Sequence, residues 1–354
     1  MGRSGLRGLK PALLIPPTCH PEGPSGLEGP PLALHSCLTM AAWLITLYAS
    51  PLAAQSDLGL PTSYQNNILA TARSPLYFQP WVPAHAGTRV TVALDYANTF
   101  ELAYGAVAGS YVQDLELATA RLSATRDLSP TTFVSADLTV ASSWQGGLDG
   151  FLHWWHGVLG IKLPERDLRP EHRFAFRGSF ANGASFGHPP STYLGDLRIG
   201  AGWRFRPSGQ LMGTLTLPTT TADGYGRGVV SLGTMLTGWS DLDPRFRVEG
   251  SLGLGWAPRS DAATRAYQRD VFGSIGGGFR WRFYRGASMF GTLWLATPYY
   301  ARTTIRALDG NDMAFDFGWI FRTRSGAEWR VGMTEDPLPS GPGIDAVFKA
   351  SRSW

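Results

Sequence analysis

From residue 88 to the C-terminus the chain alternates apolar and polar positions with a period of two. In "YLGDLRIGAGWRF", Tyr193, Leu197, Ile199, Ala201, Trp203 and Phe205 share one face, while Asp196, Arg198 and Arg204 take the other. "RFRVEGSLGLGW" sets Phe246, Val248, Leu252, Leu254 and Trp256 against Arg245, Arg247 and Glu249. The same split places Val271, Ile275, Phe279, Trp281 and Phe283 opposite Arg280 and Arg282. It also places Met313, Phe315, Phe317, Trp319 and Phe321 opposite Asp316 and Arg322. Near the end, Glu328, Arg330, Asp345 and Lys349 fall on the polar face, and Ile344, Ala346, Phe348 and Ala350 on the apolar one. Each run therefore predicts a β-strand with one oily and one wet face.

A soluble sandwich would have to bury this many large rings in a core about 10 Å thick. A transmembrane barrel turns the rings to lipid, wants them in girdles at strand ends, and keeps charges in a polar lumen. Closure pairs every backbone group that hydrocarbon cannot solvate. The expected fold is thus all-β, a transmembrane antiparallel barrel of about twelve strands (ten to fourteen). Strands are predicted near 88–98, 112–124, 131–142, 193–205, 210–217, 228–238, 245–256, 271–283, 287–297, 312–322, 327–334 and 343–354. The connections "TRDLSP", "RPSG", "WSDLDP", "YRG" and "TRSG" are short and alternate with longer ones. All short turns fall on one side, the periplasmic side for such a barrel. That parity holds only if 143–192 is a single outer insertion and "HRFAFRGSF" (172–180) is not a wall strand. A connection of about fifty residues is far longer than usual, which points to function.

Composition changes the picture at the N-terminus. Residues 1–39 are Pro-rich and unable to bury a core, as expected of a disordered extension or a misplaced start. Residues 40–54, with an apolar run from Ala41 to Tyr48 and then Ser50, Pro51, Ala53 and Ala54, read as a signal peptide cleaved after Ala54. Residues 55–87 form an N-terminal segment before the barrel at 88–354. Both cysteines, Cys19 and Cys37, precede residue 40, so the mature chain offers no disulfide or thiol chemistry. The net charge is +4, with lysine only at Lys10, Lys162 and Lys349. No dense basic block suggests nucleic acid as a partner.

Inside the insertion, "GGLDGFLHWWHGVLG" predicts a short helix. Asp149, His153 and His156 are spaced i, i+4 and i+7 and would share one helical face, a weak candidate metal site. Trp154 and Trp155 would lie beside it. The preferred reading is an amphipathic plug or cap, inside or over the barrel mouth, with no metal and no other cofactor. Ser142 and Ser143 lie near these histidines in sequence, but no nucleophile motif is present and no catalytic residue is assigned. The polar faces are more informative. Asp196, Arg198, Arg204, Arg245, Arg247, Glu249, Arg280, Arg282, Asp316, Arg322, Glu328, Arg330, Asp345 and Lys349 are expected to line the lumen. They would form either a salt-bridge network or a mildly anion-favouring passage.

"DYANTFE", "DLELATARLS", "GGLDGFLHWWHGVLGI…RDLRP", "GDLRIGAGWRF", "LTLPT" and "EDP" occur in that order. Together they resemble an uncharacterised proteobacterial outer-membrane family, domain-of-unknown-function family 3187, over roughly 65–354. "GIKLPERD" stands where that family usually has "GLPNGGR". The C-terminal strand, ending on Trp354, resembles those read by the barrel assembly machinery, although Arg352 stands where an apolar residue is usual. The resemblance implies a barrel in the outer membrane of a Gram-negative bacterium and no established activity. The leading functional expectation is a passive channel or binding barrel for a small-molecule solute, not an enzyme. A plugged structural or surface-interaction barrel is the alternative, and a membrane-embedded hydrolase the third.

Overall fold

The computed structural model describes residues 72–76, 81–104, 109–159, 173–186, 188–260, 263–324, 326–336 and 346–354. Its wall is a closed antiparallel barrel of twelve strands. They are β1 (Thr88–Tyr104), β2 (Ser110–Asp127), β3 (Thr132–Trp144), β7 (Leu197–Arg206), β8 (Gly209–Leu217), β9 (Ser231–Asp243), β10 (Phe246–Trp256), β11 (Val271–Tyr284), β12 (Ala287–Ala296), β13 (Asp312–Arg322), β14 (Glu328–Glu335) and β15 (Ala346–Ser353). Neighbours in sequence are neighbours in space, and β1 pairs with β15 from Thr91↔Ser353 to Asn98↔Ala346 to close the ring. The five short turns lie at one end together with Trp354, whose N–H donates to the Val90 carbonyl. The long connections lie at the other. We call these the turn end and the loop end.

Three shorter strands decorate the loop end: β4 (Ala175–Ser179), β5 (Ser185–Phe186) and β6 (Thr192–Leu194). β1 and β2 are long enough to project beyond the wall, and β4 pairs with that projection, Ser110↔Ser179 to Asp114↔Ala175. The segment left out of the predicted wall does contain a strand, therefore, but as a rim extension that leaves the parity of the wall intact. Among the described residues two helices complete the fold, α1 (Asp149–Leu159) and the single turn α2 (Arg306–Asp309). No helix among the described residues is long and apolar enough to cross a membrane, so any crossing is made by strands.

Burial follows the predicted alternation. Arg198, Arg204, Arg280, Asp316, Glu328 and Arg330 are buried, while the residues between them are open: Leu254 is 62 % and Val271 61 % exposed. A contiguous apolar surface of this extent has no place in water. Trp203, Phe205, Trp281, Phe283, Trp319, Phe321 and Trp329 collect at the turn end of this surface, forming an aromatic girdle. Arg352 points outward here too. Its guanidinium lies 5.0 Å from the Trp329 ring centre and 4.6 Å from that of Trp354, so ring faces cover the charge.

One face assignment is corrected. Ala141 pairs with Tyr193 and Asp137 with Arg198, so the β6–β7 side holds one more residue than β3 between these pairs. This bulge at Gly195 and Asp196 turns Tyr193 into the lumen, opposite to the face it would share with Leu197 in a regular strand. Tyr193 is accordingly buried.

Candidate functional site

A twelve-stranded wall is wider than its own side chains can fill. Residues 72–76 and 81–83 occupy part of the difference. Arg73 is at the loop end: its Nη1 donates to the Tyr300 hydroxyl (2.8 Å), its Nη2 to the Gly224 carbonyl (3.0 Å), and its Nε to the Tyr225 carbonyl. Val82 is at the turn end, where its N–H donates to Gln210 Oε1 (3.0 Å) and its carbonyl accepts from Arg204 Nε (2.7 Å). Pro83 accepts from Arg89 Nη1, and Trp81 meets the Trp239 ring edge-on at 6.2 Å. Residue 73 and residue 85 therefore stand at opposite ends of the lumen.

The wall makes room for this passage. A Cβ added to Gly233 would stand 2.7 Å from the Pro75 carbonyl oxygen. One added to Gly255 would stand 2.8 Å from the Pro75 ring. These lumen-facing glycines of β9 and β10 are what allow the segment to lie against the strands. The signal for them is in the sequence, but without a known occupant a strand glycine reads only as a close approach by something.

The lumen has two halves. At the loop end Tyr111, Phe176, Phe180, Tyr193, Tyr225, Phe272, Tyr299 and Tyr300 pack into one buried cluster drawn from strands and loops. Phe176 meets Tyr225 edge-on at 5.8 Å, and Tyr299 meets Tyr300 edge-on at 4.7 Å. Burial pushes the Tyr225 phenol well above its ordinary value, so it stays neutral.

Toward the turn end the lumen is ionic. Arg204 pairs with Asp127 at 2.8 Å, and Glu328 pairs with both Arg330 (2.7 Å) and Arg322 (3.1 Å). Lys349 pairs with Asp316 at 3.0 Å, Arg247 with Asp241 at 2.8 Å, and Arg121 with Asp137 at 3.9 Å. By strand register Asp196, Arg198, Glu249 and Arg280 also face inward. Asp95, Arg121, Asp196 and Arg198 share a small recess near the bulge, beside Ala72. Arg282 has the inward parity but is exposed at the turn end. Arg245 is not in a strand: it occupies the β9–β10 turn, exposed, where a bulge precedes Arg247. Asp345 lies outside the described residues. Inward charges missing from the predicted set include Arg89, Asp95, Arg121, Asp127, Asp137, Asp241 and Asp312; those of β1 to β3 lie on strands whose faces are too mixed to read from periodicity.

The GGLDGF segment does something different from plugging or capping. α1 packs on the outer face of the wall. The Phe151 ring is 6.0 Å from that of Phe348, which shares the outward face with Ala350 and Val331. Outward-facing Glu116 is fully buried beneath it and accepts from the Gly147 N–H (2.8 Å), the Leu148 N–H (2.5 Å), the Asn98 amide (3.2 Å) and the Tyr96 hydroxyl. Asn98 also donates to Asp149 Oδ1 (3.2 Å). Gly146, at φ 79°, turns the chain where a Cβ would strike the Glu116 carboxylate at 2.2 Å. The helix buries Asp149, Leu152 and His156 against the wall, while His153, Trp154 and Val158 are exposed and Trp155 is half-buried. His153 thus points away from Asp149 and His156. No group of three His, Cys, Asp or Glu positioned for a metal occurs among the described residues. Ser142 and Ser143 face opposite sides of the wall and donate to the Ser191 and Pro190 carbonyls (2.5 and 3.0 Å), which ties β3 to the rim.

These features define an outer-membrane-type β-barrel with residues 72–76 and 81–83 in its lumen. The chain belongs to a protein family of unknown function, DUF3187, which matches residues 38–340. Among solved structures it is similar to an outer-membrane channel from Pseudomonas putida F1. The two are 12 % identical with a TM-score of 0.51, over 76 % of this chain and 96 % of that one. It is more distantly similar to the P. putida toluene transporter TodX (11 % identity, 76 % and 90 % covered, TM-score 0.39) and to the KdgM porin (6 %, 75 % and 98 %, 0.37). At these identities the likeness shows the fold. No curated protein matches the chain.

Proposed function

We propose that the protein is a small-solute channel of the Gram-negative outer membrane, held closed by its own N-terminal segment. The observation that supports this most is the lumen itself. Part of its filling, residues 72–76 and 81–83, rests against wall glycines and is held by a few polar bonds at either end, beside the side chains that the wall and its loops contribute. Such a filling is removable without dismantling a strand. The ionic turn half is lined as a wet passage would be, and rings of arginine bias such a passage toward anions. The bilayer and the barrel assembly machinery, engaging the Trp354 strand, are the partners this reading implies.

Planar-bilayer recording tests it. The full-length mature chain is expected to open rarely, and a variant lacking residues 55–80 to conduct in large, steady steps. Silence from the deleted but folded barrel would leave a structural or surface-interaction role instead.

A further inference from the structure

Two arginines at the loop end are buried with no acid paired to them among the described residues. Arg73 and Arg227 are each 4 % exposed. Their guanidinium carbons lie 5.6 and 5.1 Å from the centre of the same Tyr299 ring. Arg73 also lies 5.8 Å from the Tyr225 ring, and Arg227 lies 5.2 Å from that of Phe272. Among the described residues the hydrogen-bond acceptors of Arg73 are carbonyls and the Tyr300 hydroxyl. Arg227 Nε donates to the Pro258 carbonyl (3.2 Å), and Nη2 to those of Ala257 (2.7 Å), Pro258 (3.0 Å) and Arg269 (2.9 Å). Among the described residues Nη1 of Arg227 has no hydrogen-bond partner. The neighbouring acid, Asp270, is paired with Arg259 at 3.4 Å. Burial, with Arg73 adding to it and Tyr299 opposing, holds the Arg227 guanidinium below its ordinary value.

Carbonyl dipoles and ring faces offset a buried guanidinium only in part, and an N–H left unpaired there is costly. The group that would satisfy it is an anion with oxygens to accept the fork. The surrounding ring faces suit a flat apolar body attached to that anion. We infer that Arg73 and Arg227 form a seat for a small aromatic carboxylate at the loop end of the barrel. One half of the seat, Arg227, belongs to the β8–β9 loop. The other, Arg73, belongs to the segment in the lumen. A carboxylate drawing on Arg73 competes with the Tyr225 and Gly224 carbonyls that hold the segment in place, so occupancy and closure are coupled. This deepens the channel reading by naming the solute class, and it rests on that reading only for the purpose of the site.

The test is calorimetric titration of the folded full-length barrel in detergent, with benzoate against benzyl alcohol, which has the same ring without the charge. Benzoate is expected to bind at least about tenfold more tightly, the difference one charge-assisted fork makes. Arg227→Gln should abolish the preference, and Arg227→Lys should keep part of it. Equal binding of the two probes to the unaltered protein overturns the inference with no variant needed. So does an undiminished preference in folded Arg227→Gln. Conductance is read separately: a deleted barrel that conducts, with no benzoate preference in the intact one, removes this inference alone. Benzoate preference in a barrel that never conducts removes the channel and leaves a binding barrel.

Discussion

Replacing Glu116 by alanine should release α1 from the wall while the barrel stays folded. The carboxylate accepts from four donors, two of them the Gly147 and Leu148 N–H groups that begin the helix segment. Bonds to a charged acceptor contribute about 1.5–3 kcal/mol each. The Asn98 and Tyr96 donors sit on the wall, and Asn98 keeps its bond to Asp149 while the helix is docked, whereas the two amides regain water once it lifts. Counting the two backbone bonds alone gives roughly 3–6 kcal/mol of docking free energy. The Phe151–Phe348 contact and the burial of Leu152 still favour docking in the variant, so the helix lifts more often but re-docks, and the barrel itself is untouched. Because each 1.4 kcal/mol is about tenfold, amide exchange in a peptide covering 147–156 should accelerate by about 10²- to 10⁴-fold. Peptides from β10 and β11, on the far side of the ring, should be unchanged. Glu116→Gln keeps an oxygen for the amides and offers an N–H to Tyr96, so about tenfold or less is expected. Exchange mass spectrometry in detergent reads all three proteins. Unaltered protection of 147–156 in folded Glu116→Ala would refute the claim that this carboxylate holds the helix.

Three further outcomes follow from the lumen and the girdle. Gly255→Ala sets a methyl 2.8 Å from the Pro75 ring and should cost the seated segment about 1–3 kcal/mol, seen as more frequent channel openings. His85, beside the turn end, is held below its ordinary value of 6.5 by burial and then by Arg89, with Asp127 opposing. Its depressed value means the undocked segment binds the proton more readily, so docking is strongest above pH 6.5 and weakens as pH falls through the window just below it. Openings should rise on acidification, and His85→Gln should flatten that dependence. Trp329→Ala uncovers Arg352 to the membrane interface and should destabilise the barrel by about 1–3 kcal/mol, measured as a lower temperature for the heat-modifiable gel shift.

The wall was legible because its signal is repeated. Strands with wide apolar faces, such as β10, β11 and β13, each carry alternation strong enough to fix both existence and face. β1 to β3 escaped that reading: Ala93, Ala97, Thr99, Leu115 and Leu117 face a lumen that is partly apolar at the loop end, so both faces look alike there. Asp95, Arg121 and Asp137 were lost with them. The bulge at Gly195 shifts the face of everything before it, and nothing in "YLGDL" marks one extra residue as opposed to a regular strand. α1 was found as a helix, but its place was not. Helical periodicity says which residues share a side, here Asp149, Leu152 and His156, and never which wall that side meets. The partner residue, Glu116, sits in "DLELATARLS", where an outward carboxylate contradicts the pattern and was the one available hint. The places of residues 72–76 and 81–87 left no trace in their own sequence, since short stretches held by a few polar bonds need no periodicity.

The wall closes by joining its first strand to its last, and the stretch inside the lumen is the chain immediately preceding that first strand. With residue 73 at one end of the ring and residue 85 at the other, it cannot be loaded by a finished cylinder as simply as it can be enclosed by one still open. The seam between Thr91–Asn98 and Ala346–Ser353 is then the step at which the molecule acquires its contents. Each copy would reach the membrane already stoppered, and a cell would be spared the leak that an empty cylinder of this width would bring on insertion.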